Sequence, residues 1–355
     1  MKEKLEQIFK LAVANKASDI HLIVGYKPLI RVNGEILPLN FPALTAEETE
    51  TIATMLLGEE RKKIFLEKKD FDFSYLFNDQ VRFRINVYFQ KNSPALAFRL
   101  IPAKIPSLEE LHLPLSLRSL VDKRQGFILI TGPTGHGKST TIAAMIEEIN
   151  NKKAAHVMTI EDPIEYYFQP KKSIFSQREM NRDAISWERA LSSCLREDPD
   201  VVFIGEMRDL QTIAAALTIA ETGHLVFSTL HTNSAAETID RIVDVFPEGA
   251  KGQVRMQLAN SLLAIVSQRL VPTLKPGRVP AVEFLINSYA VKTAIREGKT
   301  HMIDNIIRTS SELGMHLLEI SLADWVNKGV IGIEVAKKFA IREKELVRNL
   351  RRKNE

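Results

Sequence analysis

The stretch Gly132-Pro133-Thr134-Gly135-His136-Gly137-Lys138-Ser139 decides the fold of the second half of this chain. It has the G-x-x-x-x-G-K-[ST] pattern of a phosphate-binding loop. The apolar run Gly126–Thr131 precedes it, and a helical pattern, Thr140–Ile149, follows it. A strand, a glycine-rich loop and a helix in this order direct backbone N–H groups and a helix N-terminus at one anion. The stretch therefore predicts a nucleotide site, which a glycine-rich turn with a chance lysine would not explain.

The residue types of the loop predict how it would bind phosphate and Mg²⁺. Glycines let backbone N–H groups turn toward the α- and β-phosphates, Lys138 reaches the β- and γ-oxygens, and the Ser139 hydroxyl can ligate Mg²⁺. The sequence thus predicts ATP and Mg²⁺ as cofactors. The predicted nucleotide-binding residues from the motif are Gly132, Pro133, Thr134, Gly135, His136, Gly137, Lys138 and Ser139.

Composition narrows the class of protein. The chain has 355 residues, 45% of them hydrophobic, which is enough for two or three domains with cores. No stretch approaches the ~20 consecutive apolar residues of a membrane span, and the charged N-terminus lacks a secretory apolar region. The single cysteine, Cys194, excludes an intramolecular disulfide framework and a multi-cysteine zinc site. We expect a soluble cytoplasmic protein, and a net charge of +4 is too small to indicate DNA binding.

The secondary-structure pattern predicts a small α+β domain, a linker and an α/β domain. Residues 1–100 contain strand-like runs without intervening helices, which favour an antiparallel sheet, with turn signals at Asn33-Gly34 and Asn78-Asp79. Residues 101–120 are proline-containing and resemble a linker. Residues 121–270 alternate strands and helices, which predicts a mainly parallel sheet. Residues 271–355 are predicted to be mostly helical.

Acidic residues follow two predicted strands of the parallel sheet. Strand Val201–Gly205 leads into Glu206, and strand His156–Ile160 leads into Glu161. Ligands bind at the carboxyl ends of strands in open parallel sheets. An acid at that edge can hold Mg²⁺ through water or orient the attacking water. Each acid alone could instead serve a helix N-terminus, but two acidic ends beside a phosphate loop favour catalysis.

Two histidines flank the predicted strand Leu225–Leu230. Because seven residues of strand span roughly 23 Å, His224 and His231 cannot both contact one γ-phosphate within one subunit. His231 follows the carboxyl end and is the better γ-phosphate contact. His224 lies at the opposite end, as a turn residue or as a contact between subunits.

Three arginines lie on predicted strands of the N-terminal domain. Arg82 and Arg84 are two residues apart, so they share one face, and Arg99 is on a neighbouring strand. A solvated sheet face is the simpler interpretation. The alternative is a set of arginines that approaches nucleotide from a separate domain, in the manner of an arginine finger.

Four segments together resemble the type II/IV secretion ATPases, and specifically the PilT type that retracts type IV pili. They are similar to the family's phosphate loop, Asp box, Walker B segment and His box, in the same order and spacing: Gly132–Thr141, Thr159–Glu165, Leu195–Asp209 and Thr222–Thr232. Residues 294–297 resemble the family's AIRE segment, although the same four letters recur at residues 340–343. The early start of the Ala17–Leu22 segment and the absence of a multi-cysteine insertion favour the PilT type over extension and secretion relatives.

The resemblance implies a PAS-like N-terminal domain, a RecA-like P-loop ATPase domain with a helical C-terminal portion, and a hexameric ring with nucleotide between the two domains. It adds Thr140 to the residues that bind phosphate and Mg²⁺. It makes Glu206 the preferred water-orienting acid and a metal contact through water, with Glu161 its rival. It makes His231 the γ-phosphate sensor and Arg82, Arg84 and Arg99 the arginines that complete the site.

The resemblance further implies a Mg-ATP-hydrolysing motor for pilus retraction, located in the cytoplasm and peripheral at the inner membrane. Its implied partners are identical subunits, an inner-membrane pilus platform protein and a paralogous retraction ATPase. Alternatives are a loader for pilus extension or secretion and a non-hydrolysing ATP-binding regulator of another motor. A nucleic-acid motor is not expected, because no aromatic and basic cluster is present. One departure from the family is His136, where a small residue is usual.

Overall fold

The computed structural model describes residues 1–32, 34–78, 81–101 and 104–351. The chain divides into two compact units. Unit 1 comprises Met1–Lys104 and Pro163–Tyr167, and unit 2 comprises Ile105–Asp162 and Phe168–Glu355. Among the described residues, no helix has both the length and the apolar character needed to cross a membrane.

Unit 1 is built on an antiparallel sheet. Its helices and strands are α1 (Lys2–Ala14), β1 (Asp19–Leu22), β2 (Leu29–Val32), β3 (Glu35–Pro38), α2 (Ala46–Lys68), β4 (Asp70–Phe77), β5 (Val81–Gln90) and β6 (Ser93–Ile101). The strand order is β3-β2-β1-β6-β5-β4, and all neighbours are antiparallel. The antiparallel sheet expected from runs of strands is confirmed.

A cluster of aromatic rings holds α1 on this sheet. Phe9 on α1 stacks on Phe83 with ring centroids 4.3 Å apart, and it meets the edges of Phe77 and Phe98. On β5, Phe83, Ile85 and Val87 are buried at alternate positions. This alternation is the pattern of a strand with one face on a core.

Turns of unit 1 use residues in the left-handed region. Lys91 and Asn92 join β5 to β6 with φ of 47° and 61°, as a two-residue hairpin turn of the mirror-image type requires. Strands β2 and β3 pair with Val32 opposite Glu35. The predicted turns at Asn33-Gly34 and Asn78-Asp79 include residues 33 and 79, which lie outside the described residues.

Unit 2 contains the remaining elements. They are α3 (Leu117–Val121), β7 (Gly126–Thr131), α4 (Lys138–Lys152), β8 (His156–Glu161), β9 (Ile174–Glu179), α5 (Trp187–Cys194), β10 (Val201–Ile204), α6 (Leu210–Glu221), β11 (Leu225–Leu230), α7 (Ala235–Asp244), α8 (Glu248–Ser261), β12 (Leu262–Pro272), β13 (Arg278–Ile286), α9 (Tyr289–Arg296), α10 (Ile303–Thr309), α11 (Leu318–Asn327), α12 (Ile333–Phe339) and α13 (Glu343–Arg351). Short 3-10 helices occupy Thr300–Met302 and Ser311–Leu313.

The sheet of unit 2 is largely parallel, as predicted. Its order is β13-β12-β7-β11-β10-β8-β9, and only the β12–β13 pair is antiparallel. Every residue of β7, β10 and β11 is buried. Such continuous apolar strands are typical of a sheet covered by helices on both faces. The arrangement places the ends of β7, β11, β10 and β8 in succession along one edge.

Three strands of unit 2 were not predicted from sequence. β9 lies in a segment with a partly exposed, mixed sequence, and β12 continues directly from α8 without a turn signal. The chain after residue 277 is mostly helical, as predicted, but Arg278–Ile286 forms β13, which pairs with β12 along its length. Tertiary pairing, rather than local pattern, forms these strands.

Helices α11, α12 and α13 pack on the outer ends of β12 and β13. Their cluster includes Val271, Ala281, Leu318, Leu322 and Leu346, all buried. Residues 101–120, predicted as a linker, belong to unit 2 from Ile105 onward and bury Leu108 and Leu113 there.

Candidate nucleotide site

Glycines at two positions allow the phosphate loop its path from β7 to α4. Gly132 follows β7 with φ of 140°, and Gly137 precedes α4 with φ of 80°. Both values lie where only glycine is unstrained. A Cβ atom on Gly132 would also lie 2.2 Å from the backbone oxygen of Gln268 on β12. The loop therefore packs directly against a neighbouring strand, and it ends at the open N-terminus of α4.

Lys138 begins α4, and its side chain folds back over the loop. The Nζ atom donates to the backbone oxygens of Gly132 at 2.8 Å and Pro133 at 3.0 Å, and it lies 3.3 Å from Nδ1 of His231. Only 8% of Lys138 is exposed. A buried ammonium needs oxygen partners, and phosphate oxygens are well suited to it.

His231 connects the phosphate loop to the acid at the end of β10. Its Nε2 atom lies 3.0 Å from Oε1 of Glu206, and its Nδ1 atom lies 3.4 Å from Oγ1 of Thr134. The second oxygen of Glu206 accepts from Nη2 of Arg208 at 2.7 Å. The structure thus brings together Lys138, His231 and Glu206, which follow three different strands.

The surroundings of His231 indicate its protonation state. Burial, followed by the charge of Lys138, lowers the pKa of the imidazole below its usual value, although Glu206 opposes this shift. The neutral ring is therefore favoured near neutral pH. With Nε2 donating to Glu206, Nδ1 is the acceptor and faces Lys138 and Thr134. A neutral imidazole in this orientation can relay a change at the loop to the carboxylate.

Glu161 lies at the adjacent strand end and differs from Glu206 in burial. It is the last residue of β8 and is only 4% exposed, whereas the side chain of Glu206 is 22% exposed. A Cβ atom on Gly205 would lie 3.3 Å from the Cα atom of Glu161, so the two strand ends are in close contact. Both acids therefore lie at one edge of the sheet, and the contact with His231 distinguishes Glu206.

The residues that could hold Mg²⁺ suit a metal that binds mainly through its nucleotide. The described part of the chain contains no group of three or more histidine, cysteine or acidic side chains with metal-binding geometry. Mg²⁺ sites of nucleotide enzymes commonly use one or two protein oxygens plus phosphates and water. Ser139 and Thr140 on the first turn of α4, with Glu206 acting through water, fit such a site.

The unusual loop residue His136 binds β12. Its Nδ1 atom accepts from the backbone N–H of Leu270 at 3.0 Å, and its backbone oxygen accepts from Nε2 of Gln268 at 2.8 Å. Burial first, and then the charges of Arg269 and Lys138, lower the pKa of His136. The neutral ring is thus an acceptor that fastens the middle of the loop to the strand.

Sequence reasoning missed Gln268, which braces the loop from β12. Besides holding His136, this buried side chain accepts from Oγ1 of Thr141 at 2.8 Å. One amide therefore connects the loop with the first turn of α4. The available sequence signal was a polar Ser267-Gln268-Arg269 step inside an otherwise apolar run, which is unusual for a buried strand.

The three predicted arginines lie together in unit 1. Arg84 on β5 is directly opposite Arg99 on β6, and Arg82 is on the same face of β5. Arg82 is 7% exposed and stacks over the ring of Tyr167 at 3.3 Å. Arg84 lies 3.6 Å from Asp72, and the Nε atom of Arg99 donates to an Asp19 carboxylate oxygen at 3.1 Å. The predicted shared face is confirmed.

His224 and Cys194 lie away from the phosphate loop. Nδ1 of His224 contacts the backbone oxygen of Ile219 at 3.0 Å and Oγ1 of Thr222 at 3.2 Å, at the start of β11. The predicted separation from His231 at the other end of the strand is confirmed. Cys194 is fully buried, and burial raises the pKa of its thiol to about 12, which makes it an inert core residue.

The sequence profile of the family described as type II/IV secretion system protein matches residues 1–301. This range is most of the chain. The chain belongs to this family. The matched residues include the phosphate loop, the acidic strand ends and the His231 segment described above.

Several known proteins are similar to this chain over most of its length. The twitching motility protein of Neisseria gonorrhoeae is 47% identical, with 88% of this chain and 84% of that protein covered. The type IV pilus retraction ATPase PilT of Pseudomonas aeruginosa is 43% identical, with 95% and 98% covered. A crystal structure of the pilus retraction motor PilT with bound ADP superposes with a TM-score of 0.90, at 46% identity over 97% of this chain and 98% of that one.

These similarities confirm two predictions made from sequence. The resemblance to PilT-type proteins of the type II/IV secretion family extends over far more of the chain than the four motifs that indicated it. The predicted α/β fold class, with a first α+β domain and a P-loop domain, is confirmed as well.

Proposed function

We propose that this chain is a Mg-ATP-hydrolysing motor that works as a homohexamer and powers type IV pilus retraction. The chain is an ATPase of the type II/IV secretion family and is PilT-like over nearly its whole length. The observation that carries the proposal is the set of contacts from Lys138 through His231 to Glu206. These contacts join the phosphate loop to a carboxylate, and hydrolysis requires both.

Nucleotide binding is assigned to the loop and the start of α4. Backbone N–H groups of the loop and the positive end of α4 face the phosphates, and the Lys138 ammonium exchanges its carbonyl partners for β- and γ-oxygens. Ser139 and Thr140 supply hydroxyl oxygens for Mg²⁺. When bound, the metal adds positive charge beside the phosphates and stabilises the negative charge of the transferred group.

Water activation is assigned to Glu206, with Glu161 as its rival. His231 and Arg208 each hold one oxygen of Glu206, so the carboxylate has a fixed orientation at the strand edge. A carboxylate fixed in this way can align a water molecule for attack on the γ-phosphorus. His231 contacts both Glu206 and the loop, and this position suits a residue that senses the γ-phosphate.

The arginines of unit 1 are proposed to supply further positive charge for ATP turnover. Arg84 and Arg99 are exposed enough to exchange their carboxylate partners, because 36% and 67% of their side chains are accessible. Arginine near a transferred phosphoryl group stabilises the charge that develops on its oxygens. Arg82, with its buried guanidinium over Tyr167, is the most firmly held of the three.

The mechanical role is proposed from the likeness to PilT and to the gonococcal twitching motility protein. The proposed partners are identical subunits, an inner-membrane pilus platform protein and a paralogous retraction ATPase. The proposed location is cytoplasmic, peripheral at the inner membrane through the pilus machine. No nucleic-acid partner is proposed.

Steady-state ATPase activity and mass by light scattering, with and without ATP, test the enzymatic part. We expect a hexamer whose turnover is lost in Lys138→Ala. Lys152→Ala is the matched control, because Lys152 ends the same helix and pairs with Glu148 at an exposed position. Glu206→Ala is expected to bind ATP without turning it over. Unchanged turnover in Glu206→Ala would transfer the role to Glu161, and a hexamer that binds ATP without hydrolysis would favour a regulator.

Cells that lack the chain test the mechanical part. We expect such cells to keep pili but to lose retraction, and the unaltered chain to restore it while Lys138→Ala does not. Cells that lack pili altogether would indicate a loader for pilus extension instead.

A further inference from the structure

Arg269 joins the turn that follows His231 to the C-terminal helices. From β12, its Nη2 atom donates to Oδ1 of Asn233 at 3.2 Å, and its Nη1 atom donates to the backbone oxygen of Phe339 at 3.0 Å. Asn233 is only two residues after His231, and Phe339 is the last residue of α12. The guanidinium therefore bridges the catalytic edge of the sheet and the helical C-terminal portion.

Contacts with α7 and β13 also hold the turn of residues 232–235. Oγ1 of Thr232 is 2.7 Å from Oγ1 of Thr238 on α7, and the backbone N–H of Ala235 donates to Glu283 at 2.8 Å. The N–H of Asn233 donates to Glu237 at 2.8 Å. These contacts fix the start of α7. The Arg269 contact instead holds the Asn233 side chain, at the exposed end of the turn nearest His231.

His231 depends on its backbone position for its two opposing contacts. Its ring atoms lie 3.0 Å from Glu206 on one side and 3.3 Å from Lys138 on the other. Hydrogen bonds weaken steeply beyond about 3.5 Å, so a displacement of well under 1 Å breaks one contact or the other. The His231 ring keeps both contacts only if the turn that follows it is firmly held. The planar guanidinium of Arg269, with its two hydrogen bonds, holds this turn.

We propose that Arg269 is a positioning residue for ATP turnover, which acts through Asn233 to hold His231 between Lys138 and Glu206 and takes its own support from the C-terminal helix α12. This inference rests on the proposed role of His231. It makes the C-terminal portion part of the hydrolytic machinery, because a movement of α12 reaches the His231 turn through the side chains of Arg269 and Asn233.

A double-mutant cycle on turnover tests the proposal. Arg269→Met is expected to lower kcat about ten-fold, because displacement of a catalytic contact is costly, with the KM for ATP changed less than about three-fold. In a His231→Ala background the same substitution is expected to have no further effect on kcat. Asn233→Ala should reproduce the loss, and Arg269→Lys should recover part of it, since lysine can reach one of the two acceptors.

Arg308→Met is the matched control, because Arg308 forms a partly exposed ion pair with Glu345 on the C-terminal helices at 3.2 Å. Its kcat should stay unchanged. The proposal is wrong if the double variant lowers kcat by the product of the two single fold-changes. It is also wrong if Arg269→Met changes only KM. If His231→Ala itself leaves turnover intact, the role assigned to His231 fails instead. Asn233→Ala keeps the test decisive if Arg269→Met does not fold, because it leaves the bond to Phe339 in place.

Discussion

Arg342 is the centre of a buried ion network, so its removal should destabilise unit 2 strongly. Its Nε and Nη2 atoms donate to the two carboxylate oxygens of Asp304 at 2.7 and 2.6 Å. Its Nη1 atom lies 3.0 Å from Glu283 and 3.4 Å from Glu319. The side chains of Glu283 and Glu319 are 0% exposed, and that of Arg342 is 17% exposed. One guanidinium therefore compensates two carboxylates that water does not reach.

The substitution Arg342→Met keeps an unbranched apolar stem and removes the guanidinium group with its charge. Glu283 retains the N–H of Ala235, and Glu319 retains the backbone N–H groups of Ile341 and residue 342. Removing one partner of a buried ion pair costs about 3–5 kcal/mol in free energy of unfolding. For a domain of this size each kcal/mol lowers Tm by about 2–4 °C, so we expect a fall of roughly 6–20 °C.

The loss of stability should depend on pH in a defined direction. Burial raises the pKa of Glu283, and Arg342 opposes that shift. Removing Arg342 therefore raises the pKa further and favours protonated Glu283 in the folded state. A raised folded-state pKa gives stability that is present below the unfolded value and is lost as pH rises through the folded value. The destabilisation of Arg342→Met should accordingly be smaller at low pH than at neutral pH.

Thermal unfolding at two pH values measures both effects, with Arg308→Met as the control. Arg308 and Glu345 are 39% and 22% exposed, so their pair should contribute at most about 1 kcal/mol. A further variant, Glu283→Gln with Arg342→Met, should recover part of the lost Tm. If Arg342→Met unfolds within about 2 °C of the unaltered chain, the buried network does not support unit 2 as argued.

Three further predictions concern the loop and the core of unit 1. Gly132→Ala should abolish nucleotide binding, because the added Cβ would lie 2.2 Å from the backbone oxygen of Gln268. Titration with a fluorescent ATP analogue measures the binding. Gly249→Ala is the control, because a Cβ there meets nothing within 4 Å. His136→Ser should lower Tm more at about pH 7.5 than at about pH 5.5, because the pKa of His136 is lowered and its bond to Leu270 is lost on protonation. Equal Tm differences, or nucleotide affinities with identical pH profiles, would contradict a pH-sensitive contact. Phe9→Ala should cost unit 1 about 3–5 kcal/mol by denaturant unfolding, since the ring is buried among four other aromatic rings. A loss below about 1 kcal/mol would show that the core collapses around the gap.

Local sequence was sufficient where one short stretch contains all the needed signals. The loop motif placed Lys138 between a strand and a helix, and apolar runs located β7, β8, β10 and β11 within a residue of their bounds. Strands buried on both faces are read directly from continuous apolar residues. The parallel sheet then placed Glu206 and His231 at the carboxyl ends of their strands, the edge where ligands bind. Their direct contact is known only from the structure.

Local sequence was insufficient where a role depends on a distant partner. The letters Ala-Ile-Arg-Glu occur at residues 294–297 and again at 340–343. Arg296 is exposed at the end of α9, whereas Arg342 is enclosed by three carboxylates from other elements. The residues that follow, Gly298–His301, assign the family's segment to the first copy. They do not predict the ion network of Arg342, because its partners are separated from it by 23 to 59 residues.

The sequence by itself determined the phosphate loop, the mainly parallel sheet and the family, because these follow from periodicity and from motifs within single segments. Tertiary structure alone decided that β12 braces the loop through Gln268 and His136, and that Arg269 connects the His231 turn to α12. Such contacts form only after chain segments more than 30 residues apart pack together. Their energy comes from hydrogen bonds in partly buried surroundings, which a local pattern does not specify.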